Sequence, residues 1–180
     1  MRLKAEETMA IAIDYQEKLM PAINENEKLI KNSAILIKGL REFDIPIIVS
    51  QQYTKGLGKT VDEIAQALGD FEPHDKKSFS LCMDDDIMKA IYSAGRKNVV
   101  IFGAEAHICV LQTTIDLLEK DFNVFFVEDC VGSRKDNDKN MAVKRAEKEG
   151  AFITTYEGVL YELTQGAANP HFKAISKLTK

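Results

Sequence analysis

Residues 98–121, NVVIFGAEAHICVLQTTIDLLEKD, decide how the chain is read. Val99, Val100, Ile101 and Phe102 form an unbroken apolar run of β-formers, the pattern of a parallel strand buried on both faces. Gly103 interrupts the run. Beyond it, Ile108, Leu111, Ile115 and Leu118 recur at spacings of three, four and three, which predicts a helix with one apolar stripe. The order strand, turn, helix puts Cys109 in the first helical turn, where free backbone N–H groups and the positive end of the helix dipole favour an anion. A thiol so placed is expected to have a lowered pKa and to act as a nucleophile. The same N–H groups are suited to an oxyanion. The alternative is that Cys109 is a small buried apolar residue, as free cysteines often are.

Outward from this unit, apolar strands alternate with helices. TMAIAI, Thr8 to Ile13, is a first strand and ends at Asp14, a charge that must be paired or lie at a sheet rim. A helix capped by Asn24 or Asn26 runs to about Phe43, and Ile45 to Val49 is the second strand. The polar loop from Ser50 to Gly58 leads to a helix from Thr60, with Glu63 completing a capping box. Glu72 to Cys82 includes a short extended piece. Asp84, Asp85 and Asp86 then open another helix, where their charge suits the dipole better than a metal. Asn123 to Val127 and Ala151 to Thr154 are further strands, separated by a loop through Asp129, Gly132 and Ser133 and by a helix ending at Gly150. The alternation predicts a three-layer α/β, Rossmann-like fold with a mostly parallel central sheet. Right-handed crossovers would then bring Asp14, Gln52, Cys109 and Asp129 to one rim.

With 180 residues, 45% hydrophobic and 29% charged, the chain has the length and composition of a single globular domain spanning 1–180. A net charge of −4, with basic residues scattered along helices, argues against a nucleic-acid partner. No apolar run approaches a membrane span, and charges break the N-terminal segment where a signal peptide needs its apolar core, so no membrane partner and a cytoplasmic location are expected. Cys82, Cys109 and Cys130 have no paired spacing, and His74, His107 and His171 stand alone, so neither a disulfide framework nor a metal site is indicated. GLGKT follows polar residues rather than a strand and lacks the spacing of a phosphate loop; no cofactor is expected.

A cysteine hydrolase needs a base for the thiol proton. His107, two residues from Cys109, points elsewhere on a helical turn; Asp14 is the better candidate, with Lys76 or Lys77 as the cation that lets two acidic groups share a site. Asp14 with Gln16 after an apolar strand, KxxFS at Lys76 to Ser80, GxExHxCV at Gly103 to Val110 and DCVGSR at Asp129 to Arg134 together resemble the isochorismatase-like, or cysteine hydrolase, family almost end to end. SQQYTKGLGKT, GAEAHICV and the ending NPHFKAISKL resemble its isochorismatase domain-containing branch.

The resemblance implies a Rossmann-like hydrolase with an Asp-Lys-Cys triad: Asp14 as base, Lys76 as its partner, Cys109 as nucleophile. It also implies a cis peptide at Ala104-Glu105, with the N–H groups of Glu105 and Cys109 forming an oxyanion hole. Gln52, Tyr53 and Phe79 are expected to line the pocket. SQQYTKGLG stands where the nicotinamidase branch carries a metal-binding segment, and the retained cysteine departs from isochorismatases proper. The first departure argues against metal-dependent nicotinamide hydrolysis, and the second favours cleavage of a small-molecule C–N bond through a thioester at Cys109; the resemblance also implies a homo-oligomer. The competing expectation is a non-catalytic or redox-responsive binding protein that keeps the fold.

Overall fold

The computed structural model describes residues 1–180. Six strands form one sheet: β1 (Thr8–Ile13), β2 (Ile47–Gln52), β3 (His74–Lys76), β4 (Asn98–Ala104), β5 (Asn123–Gly132) and β6 (Phe152–Thr154). Their order is β3-β2-β1-β4-β5-β6, and every neighbouring pair is parallel. β1 and β4 are buried along their whole length, as unbroken apolar runs require of central parallel strands. Eight helices cover the sheet: α1 (Asn26–Glu42), α2 (Thr54–Leu57), α3 (Asp62–Leu68), α4 (Asp85–Ser93), α5 (Leu111–Glu119), α6 (Asp136–Glu149), α7 (Tyr156–Thr164) and α8 (Phe172–Leu178). α1 packs with α3, α7 and α8, while α5 packs with α6, which makes the layers around the sheet.

Strand order reverses between β1 and β4. In open α/β sheets the crevice at such a reversal, outside the carboxyl ends of the strands, is where ligands bind. Here it lies between Asp14, which follows β1, and Glu105, which follows β4. Gly103 makes that junction close: opposite Ile13 in the register, it has a φ of 133°, and a Cβ on it would collide with the Ile13 carbonyl oxygen.

Several local expectations give way to tertiary structure. β5 continues past Val127 to Gly132, but its pairing with β4 slips between Ile101↔Phe126 and Gly103↔Val131, which leaves residues 127–130 bulged. Asp129 is in that bulge, and its carboxylate accepts the Tyr156 N–H at 2.9 Å, so it leaves the rim of Asp14 and Cys109 and holds the start of α7. Neither Asn24 nor Asn26 caps α1; Glu25 stands at the N-cap position in a left-handed conformation and makes no side-chain cap bond, while Asn24 donates to Asp136 and Asn26 to the Ile23 carbonyl. Thr60 likewise does not cap α3, which starts after Val61. Its hydroxyl accepts from Gln51 Nε2 at 2.8 Å, a buried bond that outweighs the exposed cap. Asp84 does cap α4, accepting the N–H groups of Asp86 and Ile87.

Candidate active site

Asp14 leaves β1 in a left-handed conformation, φ 55°, and is wholly buried. Its N–H donates to the Ser50 carbonyl at 3.2 Å, and its Oδ1 accepts the Ser50 hydroxyl at 2.7 Å. Oδ2 accepts from Lys76 Nζ at 2.8 Å, and neither side chain of the pair is exposed. Lys76 reaches it because β3 pairs with β2 in the register Gln52↔Lys76. The ammonium has three protons and four neighbours: Asp14, Gln52 Oε1 at 2.6 Å, the Ser78 carbonyl at 3.3 Å and Cys109 Sγ at 3.5 Å. Lys77 is exposed and outside this group.

Gln52 is itself fixed. Its Nε2 donates to the Lys77 carbonyl at 2.9 Å, and its N–H donates to Gln16 Oε1 at 2.7 Å. Gln16, buried, returns Nε2 to the carbonyls of Gln52 and Gly58 at 3.1 and 2.8 Å. A polar lattice thus ties the chain after β1 to the loop after β2. Gln16 entered the sequence reading only as part of the motif it shares with Asp14, and Ser50 only as the start of a polar loop; the signal for a site role was their position just past apolar strands, which Asp14 shares.

Cys109 lies in a π-helical turn, Ala106–Val110, that precedes α5. Two of the turn's donors are spent internally: Ile108 N–H and Val110 N–H both donate to the Glu105 carbonyl, at 3.1 and 3.3 Å. The Cys109 thiol is pushed up to about 12, first by burial and then by the Asp14 carboxylate, with Lys76 drawing it back only in part. The expected lowering by a helix start is therefore overturned. Desolvation of a covered thiol exceeds the pull of a dipole whose end is already bonded.

A cavity of about 140 Å³ opens over this group. Cys109, Asp14, Gln52 and Glu105 make its polar side; Leu19, Leu57, Phe79 and Ile108 make its apolar wall. Tyr53 is outside it. The residue passes through a left-handed conformation, φ 42°, into α2, and does not line the cavity, so the expected pocket role does not fit. Ala104-Glu105 is a cis peptide. His107 engages Ser133 Oγ at 2.9 Å and stands 4.0 Å from Asp138, away from the thiol. No helix is long and apolar enough to cross a membrane.

The isochorismatase domain matches residues 8–158, and the chain belongs to the isochorismatase family, whose members are generally hydrolases. It is 39% identical over 179 residues to isochorismatase domain-containing protein 2 of Danio rerio, covering 98% of this chain and 89% of that one. Among solved structures it resembles the MAR1 ribonuclease from Caenorhabditis elegans, with a TM-score of 0.93 and 38% identity over 99% of this chain and 92% of the other. The Escherichia coli YcaC gene product, described as an octameric hydrolase of unknown specificity, shares the fold with a TM-score of 0.93 at 24% identity, covering 98% and 88% of the two chains.

Proposed function

We propose that the chain is a cysteine hydrolase, one domain over 1–180, that cleaves the C–N bond of a small amide through a thioester at Cys109. The observation that carries this is a nucleophilic sulfur 3.5 Å from the cation of a wholly buried Asp14–Lys76 pair, at the floor of a small cavity. A buried ion pair contributes little net stability, so its presence beside a thiol calls for a chemical reason.

Because the resting thiol is protonated, attack and deprotonation are coupled. Asp14 takes the Sγ proton as sulfur bonds to the carbonyl carbon, and the N–H groups of Glu105 and Cys109 receive the developing oxyanion. Lys76 offsets the charge on the thiolate-like sulfur. Collapse breaks the C–N bond, and Asp14 returns the proton to the leaving nitrogen. Water then gives a proton to Asp14 and attacks the thioester, and the departing sulfur takes that proton back. Gln52 holds Lys76, and Phe79 is an apolar wall for the acyl group.

The cavity volume favours a small molecule, and the net charge of −4 disfavours the phosphate contacts that a nucleic-acid strand, as for the ribonuclease relative, would call for. The unpaired state of all three cysteines supports the cytoplasm. Exposed Phe79 and Met83 along one groove support self-association.

The test is a panel of small carboxamides read by ammonia release, with acid-quenched peptide mass spectrometry for an acyl group on Cys109. Release that vanishes in Cys109→Ala, with an adduct on that peptide, is expected. Release that persists undiminished in Cys109→Ala would overturn the reading.

A further inference from the structure

Glu105 carries a second charge into the wall of the cavity, and that charge needs an explanation of its own. A carboxylate whose side chain is only 8% exposed is costly without partners. Arg134, from the segment between β5 and α6, supplies them. Its Nε lies 3.0 and 3.2 Å from the two carboxylate oxygens, and its backbone N–H donates to Oε2 at 3.2 Å. The Arg134 side chain itself is 58% exposed.

The backbone of Glu105 is held at its other end by the nucleophile's own turn, whose Ile108 and Val110 N–H groups bond its carbonyl. The Glu105 N–H donates to no acceptor in the chain. One residue therefore has its carbonyl tied to the turn bearing Cys109, its carboxylate tied to the β5–α6 segment, and its N–H left over at the cavity wall. His107, bonded to Ser133, fastens the same turn to the same segment.

We infer that Arg134 is a positioning residue of this site: by gripping the Glu105 carboxylate it holds the Glu105 N–H where the oxyanion of a thiol–acyl intermediate forms. The inference rests on the hydrolase reading above and adds a division of labour to it. Asp14 and Lys76 govern the proton and charge of the sulfur, whereas Arg134 governs only the oxygen. Reactions of Cys109 that build an oxyanion depend on Arg134, and reactions that build none do not.

Two reagents separate these cases without a known substrate. p-Nitrophenyl acetate acylates a thiol through a tetrahedral oxyanion: the Sγ–C bond forms, the thiol proton leaves, and p-nitrophenolate departs as the C–O bond breaks. Iodoacetamide alkylates at a saturated carbon, displaces iodide and forms no oxyanion. Both rates are measured at Cys109 by peptide mass spectrometry on the full chain, in wild type, Arg134→Ala, Arg134→Lys and Glu105→Gln, with thermal melting alongside.

Removal of a whole oxyanion donor costs about 10²–10³-fold, so a loosened one is expected to cost about tenfold. In Arg134→Ala the acylation rate should fall by about that factor while alkylation stays within about twofold. Arg134→Lys, which keeps the charge, should lose less than Arg134→Ala, and Glu105→Gln, which turns one of the two acceptor oxygens into an NH2 that Arg134 cannot use, should lose acylation as well. Equal falls in both rates would mean a general disturbance of the turn and overturn the proposal, as would an acylation rate unchanged in Arg134→Ala and Glu105→Gln. Failure of the hydrolase reading is a separate result, the absence of Cys109-dependent amide turnover in wild type.

Discussion

Two carboxylate–cation pairs flank Cys109, and they differ in solvent. Asp14 and Lys76 have no exposure at all; Glu105 is nearly covered while Arg134 stands 58% in water. Loss of one partner in the dry pair leaves the other charge stranded, which costs about 3–5 kcal/mol, whereas a wet partner is replaced by water at little cost. The pairs thus look alike in a list of contacts and act differently. In the proposed mechanism the dry one sets protonation at the sulfur and the half-wet one holds a piece of backbone.

The sharpest way to break this comparison is Asp14→Asn, which retains the shape of the side chain and removes its charge. Amide turnover should fall by about 10²–10⁴-fold, measured by ammonia release. Because the Asp14 carboxylate raises the thiol and Lys76 lowers it, the same variant should move the pH midpoint of Cys109 alkylation downward, so that labelling becomes easier as turnover is lost. Lys76→Met should move that midpoint upward. Parallel changes in the two variants would show that the pair does not tune the sulfur electrostatically.

Next in size is stability. Lys76→Met should cost about 3–5 kcal/mol in denaturant unfolding, against less than about 0.5 for the exposed Lys77→Met. Arg134→Ala belongs with the second lysine, within about 1 kcal/mol. Should Arg134→Ala be as destabilising as Lys76→Met, the distinction between the pairs collapses.

A pH series sharpens the account of the thiol. Cys109 rises from an ordinary 9.0 to about 12 and Cys82 to about 11, both chiefly by burial, and burial also pushes Cys130 well above its ordinary value. Unfolded thiols ionise near pH 9 while the folded ones keep their protons, so the folded state binds more protons and stability must fall as pH rises from 9 toward 12. Each such group contributes up to about 1.4 kcal/mol per pH unit. Unfolding midpoints at pH 8 and pH 10.5 should diverge in wild type and diverge less in Cys109→Ala. The smallest effect concerns the cavity wall: Phe79→Ala should raise KM severalfold, and Tyr53→Ala should leave it unchanged within about twofold, as each residue's place inside or outside the cavity dictates.

Much of this was legible because the signals were local. Buried strands wrote themselves as apolar runs, α5 as a three-four spacing, and Asp14 as a charge with no local reason to follow Ile13. Family motifs, more than spacing, separated Lys76 from Lys77, since both sit on one short polar segment. Asp129 was misplaced because a bulge in β5 depends on what β4 offers across the gap, and Tyr53 because a left-handed backbone turn carries the chain there into α2.

By itself, the order of residues determined an alternating α/β chain and the loops in which chemistry-bearing side chains fall, because periodicity and chain direction are properties of neighbours in sequence. Only the tertiary structure decided that β1 adjoins β4, that a three-residue strand delivers Lys76 to Asp14 across 62 positions of chain, and that Cys109 rests as a thiol. Those outcomes depend on strand order and on which atoms exclude water, and desolvation is a property of whatever covers a group, wherever in the chain it comes from.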